Sequence, residues 1–254
     1  MIIRLAQMEA FQKVAHGRFV EQMVAHVRRL APDLAAVAKE EGVRAFVGAT
    51  IDAARGAGFH NWECVRFYIE CALVLGHRFV TDPQYPWANE IIHDPELTAE
   101  DLRADILWRY VSDYLEEVVG PDQAFALAGL HRLEERLGPA FDQLPFLDPD
   151  GILALVKSCY PEKYEYVGRA QLQLLLSVAA EVAISFGLEP SPATPVFLMV
   201  MICFGYGVVD DPLYPWVGKS LMDKAVSTPR ERLEHLYDRS RAYLRHVSSR
   251  RASD

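Results

Sequence analysis

The residues of this chain best suited to chemistry are an acidic pair, two Glu–His neighbours and a pair of glycines. Asp210 and Asp211 stand side by side in a chain of helical periodicity. Such a pair would suit metal–diphosphate chemistry, which needs a DDxxD-like helix face and a second acidic motif, so that several carboxylates hold the cation. Here the pair runs on as DDPLYPW, and the segment 129 residues earlier reads TDPQYPW, so those carboxylates are missing. Glu90 and His93 make one Glu-x-x-His; a dimetal bundle site needs two, with two further carboxylates. The positions 129 further on are Lys219 and Met222, which leaves the set incomplete. His60 and Glu63 lie one turn apart without companions. Gly205-Tyr206-Gly207 opens like a dinucleotide loop, but it follows a helical segment and lacks the third glycine. Asp52 and Glu181 occupy matching places in apolar helices. A buried carboxylate pair there would be a catalytic candidate, and the polar edge of the stripe is the structural alternative. We therefore expect no catalytic residue, no metal and no cofactor.

The strongest pattern is a repeat. DPQYPW (Asp82–Trp87) returns as DPLYPW (Asp211–Trp216), and the same offset of 129 aligns the surrounding chain without gaps. Ala25, Pro32, Ala54, Gly58, Gly76 and Asp94 meet Ala154, Pro161, Ala183, Gly187, Gly205 and Asp223. This suggests a duplication: a first helical half over 1–120, a connecting helix and loop over 121–150, and a second half over 151–254. Asp before Pro is a helix-start signature. Asp82 and Asp211 can accept from free amides, Pro83 and Pro212 need no donor, and Pro86 and Pro215 stay within the first turn. These six predict a rigid helix corner. Tyr85, Trp87, Tyr214 and Trp216 add apolar area with a polar tip, and are the candidates for binding another protein if their edges reach the surface.

The elements that must position these residues are helical. Met8, Phe11, Phe19, Met23, Val27 and Leu30 mark one apolar stripe. A second helix is expected over Val43–Arg55, and a third from a cap at Asn61 to about Leu75. A short helix follows DPQYPW. Thr98 opens another through TAED, a near capping box. Tyr166–Phe186 reads as one helix apolar almost all round, Pro195–Phe204 as another, and Thr228 with Pro229 starts the last. No segment alternates as a strand does. The fold class is all-α, with two pseudo-repeated multi-helix halves packed as one unit.

Composition narrows the function. Hydrophobic residues make up 51% and charged residues 24%, as in an ordinary globular protein. A net charge of −9 argues against a nucleic-acid partner. Cys64, Cys71, Cys159 and Cys203 form no CxxC and fit buried thiols of a reducing compartment. The N-terminus lacks the apolar core of a signal peptide. The longest apolar run, PVFLMVMICFGYGVV, is shorter than the roughly 20 residues of a spanning helix. The expectation is a cytoplasmic protein with no membrane insertion.

Several of these residues fit a known pattern. The opening MIIR…Q…F, then Met23, His26, Pro32, the glycine near position 58, and Gly76, Phe79, Asp82, Pro83, Pro86, Trp87 and Ala88 as G-x-x-F-x-x-DP-x-x-PWA, make the chain resemble a group of small helical proteins. These are encoded beside PAAR-tip, spike and toxin-effector genes of bacterial type VI secretion systems. The resemblance covers about 100 residues. The second half departs from it, with Val217 for Ala88 and Val208 for Phe79, and without the N-terminal segment. The resemblance implies a bacterial, non-enzymatic adaptor or co-chaperone that binds an effector, chaperone or spike-tip protein. An immunity protein that neutralises a toxin is the second function class, and an enzyme of unknown class the third.

Overall fold

The computed structural model describes residues 5–137, 148–223, 226 and 228–251, with backbone only at 5–10, 137 and 248–251. Among the described residues there are twelve α-helices and no strand. In chain order they are α1 (Leu5–Leu30), α2 (Pro32–Gly56), α3 (Trp62–Leu75), α4 (Pro86–His93), α5 (Glu100–Tyr114), α6 (Ala124–Leu137), α7 (Pro149–Cys159), α8 (Pro161–Val167), α9 (Arg169–Ser185), α10 (Pro190–Phe204), α11 (Pro215–Met222) and α12 (Pro229–Arg251). The all-α class is as the periodicity predicts.

Several boundaries differ from the sequence reading, each for a local reason. The second helix begins at Pro32, not Val43, because proline at the first helical position lacks only an amide that would be unbonded anyway. The expected helix over Tyr166–Phe186 is broken at Gly168, whose φ of 81° ends α8 before α9 begins. Thr98 does not cap α5: Ala99 holds that position without a side-chain bond. Glu100 reaches away instead, and its carboxylate accepts from the amides of His60 (2.6 Å) and Asn61 (3.0 Å) ahead of α3. Asn61 caps α3 as expected, accepting from the Glu63 amide at 2.9 Å. At α12 the reciprocal box does form. Thr228 Oγ1 accepts from the Glu231 amide and the Glu231 carboxylate from the Thr228 amide.

The hexapeptides also work differently from a simple cap. Helices α4 and α11 begin at Pro86 and Pro215, with Tyr85 and Tyr214 at the cap positions. A residue before proline is pushed out of the α region, so Tyr85, ahead of Pro86, cannot continue a helix begun at Pro83, and the helix waits for the second proline. Asp82 folds back instead, and its Oδ1 accepts from the Gln84 amide at 2.9 Å. Asp211 does the same with Leu213 at 2.8 Å.

The buried apolar side chains form two clusters. One gathers α1 to α5, around Phe46, Phe59, Ile69 and Leu107. The other gathers α7 to α12, around Leu153, Leu172, Phe197 and Leu236, and takes in Leu133 from α6. Breaks 129 residues apart share their conformations. Ala31 (φ −133°, ψ 66°) parallels Tyr160 (−127°, 65°), and Lys39 (60°, 178°) parallels Gly168 (81°, 152°). Gly76 (102°, 148°) parallels Gly205 (89°, 152°), and Tyr85 (−132°, 58°) parallels Tyr214 (−118°, 53°).

Candidate functional site

The two hexapeptides meet where the clusters touch. Gly76 and Gly205 lie back to back: a Cβ on Gly76 would stand 3.0 Å from the Phe204 carbonyl oxygen, and one on Gly205 2.9 Å from that of Leu75. Each corner reaches into the other half. Asp82 Oδ2 accepts from the Tyr206 amide at 2.9 Å, and Gln84 Nε2 donates to the Met201 carbonyl at 3.1 Å. Leu213, at the place matching Gln84, is buried in the first-half cluster. His77 Nδ1 stands 3.3 Å from Asp211 Oδ2, and Arg78 pairs with Asp210. Burial raises the Asp82 carboxyl above its usual range, opposed by the Gln84 and Tyr206 amides and the nearby charge of Lys163.

The aromatic candidates divide between the halves. Tyr85 is 2% exposed and Trp87 8%. Tyr85 packs edge-on to Tyr114 at 5.2 Å, and Trp87 stacks on Tyr110 at 5.4 Å. Tyr214 and Trp216 are half-buried, packed against Tyr243 at 6.0 and 5.5 Å. A partner could reach Tyr85 or Trp87 only by opening the core, so these two are placed as scaffold.

The other sequence candidates lie apart. Asp52 and Glu181 are exposed, on the polar edges of α2 and α9. Glu90 and His93 are exposed on α4, where His93 Nδ1 lies 3.0 Å from the Asn89 carbonyl oxygen. His60 and Glu63 are exposed. Gly205-Tyr206-Gly207 is packing space: a Cβ on Gly207 would meet His77 and Arg78 within 2.9 Å. Among the described residues no group of three or more His, Cys, Asp or Glu could hold a metal ion. No single described helix is long and apolar enough to cross a membrane.

Two apolar features remain. The first is a cavity of about 680 Å³ between the halves. Its walls come from Phe67 of α3, Trp108 of α5, Leu130 of α6 and Val118 of a π-helical turn (Leu115–Val119) that ends α5. Its lining includes Tyr160, Lys163 and Cys203 of the second half. The Tyr160 hydroxyl and Cys203 thiol lie 3.3 Å apart, and burial lifts the Cys203 thiol to about 11. The second is the near end of α1. Phe11 is 68% exposed and Val14 55%; about two turns further along the same helix, Phe19 is in ring contact at 4.3 Å with Trp62 of α3, which is 40% exposed. Helical spacing puts Phe11, Val14 and Ala15 on one face. Sequence patterning places Phe11 in the apolar stripe of the first helix. Periodicity cannot tell a stripe packed on its own chain from one left open.

No family model, curated protein or solved structure matches this chain.

Proposed function

We propose that this chain is a non-enzymatic, protein-binding accessory factor, an adaptor or co-chaperone for a type VI secretion effector or spike component in the bacterial cytoplasm. The observation that carries the binding role is the apolar face of α1 exposed at Phe11 and Val14. Large apolar side chains grouped on one exposed helix face are what a helix-in-groove partner recognises. The secretion context comes from the resemblance of the first half. The segment that opens that resemblance leads directly into this helix, and the second half lacks it. The duplicated corners then act as the joint that holds two helical halves as one platform.

The test is co-expression with the products of neighbouring genes. Wild-type chain should co-purify with one of them, and the double variant Phe11→Asp/Val14→Asp should lose it while keeping its helical spectrum and melting temperature. Solitary elution of the wild-type chain beside every neighbour would refute the reading. Poisoning of sibling cells on deletion, rather than a loss of secretion, would assign the immunity role instead.

A further inference from the structure

The cavity between the halves has a polarity that a plain packing defect would not have. Lys163 is 7% exposed, and its Nζ donates to the Ile202 carbonyl in the last turn of α10 at 2.6 Å. An ammonium has three donors. The Tyr114 ring lies 5.9 Å away and attracts the charge without taking a hydrogen bond. Among the described residues no carboxylate oxygen lies within 4.0 Å of Nζ. Buried lysines are normally paired, because an uncompensated charge in an apolar setting is costly. The nearby carboxylates are committed elsewhere. Glu70 in the cavity wall is held by His26 at 2.7 Å and Arg66 at 3.3 Å, and Asp82 by the Gln84 and Tyr206 amides. The matching residue in the first half is Leu34, which also lines the cavity, so the cation is a feature of one half only.

We infer that this cavity binds a long-chain monocarboxylate, with its apolar tail along the helix walls and its carboxylate on Lys163 Nζ. The volume of about 680 Å³ falls within the roughly 300–1,000 Å³ of small-molecule sites, which are mostly apolar with a few placed polar groups. Leu30, Val74 and Trp108, each at least half exposed, form an apolar mouth through which a chain enters. One cation suits one negative charge; a phosphate dianion would call for more donors than this lining offers. The site goes beyond the docking role, since Phe11 and Val14 are not part of its lining.

Calorimetry on the whole chain tests this with dodecanoate, dodecanol and dodecylamine, each below its aggregation concentration. Dodecanoate should bind about tenfold or more tightly than dodecanol, the value of one charge-assisted hydrogen bond. From octanoate to dodecanoate each methylene should tighten binding roughly fourfold. Lys163→Met should remove the preference for the carboxylate and leave dodecanol unchanged, and Ala126→Phe, which fills one wall, should weaken both. Should Lys163→Met fail to fold, the selectivity of the wild-type chain decides. Equal affinity for acid and alcohol, preference for the amine, or no saturable binding would overturn the proposal. None of these results bears on partner capture by α1.

Discussion

Lys39 holds φ 60° and ψ 178°, a region that is nearly reserved for glycine, and the matching residue of the second half is Gly168 at 81° and 152°. A side chain in that region costs about 1–3 kcal/mol. Replacing Lys39 by glycine removes this strain and adds about 0.5–1 kcal/mol of unfolded-chain entropy. Lys39 is exposed, so little packing is lost with it. The net expectation for Lys39→Gly is a gain of about 0.5–2 kcal/mol, or a rise in Tm of a few degrees at this chain length. Lys39→Ala keeps a Cβ and hence the strain, so its Tm should stay within about a degree of wild type. The reciprocal change is equally diagnostic. A Cβ on Gly168 would meet nothing within 4 Å, so Gly168→Ala isolates the backbone term and should cost about 1–3 kcal/mol. Urea unfolding followed by circular dichroism, with calorimetric melts beside it, measures all three. If Lys39→Gly is no more stable than Lys39→Ala while Gly168→Ala is neutral, the reasoning about this kink is wrong.

Other expectations concern the joint and the buried titratable groups. Gly205→Ala puts a methyl 2.9 Å from the Leu75 carbonyl oxygen at a φ of 89°, so both sterics and conformation oppose it; a loss of about 3 kcal/mol or more is expected in denaturant melts, and less than 1 would contradict the back-to-back packing. Asp82 has a folded value raised above the unfolded one. Its contribution is therefore complete below the unfolded value and is lost as pH rises through the folded one. Unfolding free energy measured upward from about pH 4 should fall more steeply in wild type than in Asp82→Asn, and parallel curves would refute that. Cys64, which donates to Asp101 Oδ1 at 3.1 Å, is pushed up to about 12 by burial, and burial raises Cys71 further. Neither thiol should react with iodoacetamide at pH 8 until the chain is unfolded, and rapid labelling of folded protein, read by mass spectrometry, would count against this packing.

The sequence by itself determined the helical class, because apolar residues recur at a period near 3.6 and nothing alternates. It also marked where the chain must turn. Pro32, Pro86, Pro215 and the glycines at 58, 76, 187 and 205 act through their own φ restrictions or freedom, which are local properties, and the structure uses each at a break. Boundaries failed where a neighbour's needs prevailed. Glu100 serves the amides before α3 rather than closing a box on its own helix, and the paired prolines of each hexapeptide delay the helix to the second one. Tertiary structure alone decided which stripes are covered. Phe11 and Phe46 are equally apolar, yet one lies in solvent and the other in the core, because coverage depends on what the distant chain brings. Lys163 carries no signal as a single residue beyond standing opposite Leu34 in the 129-residue register. Its hydrogen bond to the α10 carbonyl is made by packing α8 on α10, and the cavity it borders exists only where those helices meet α3 and α5.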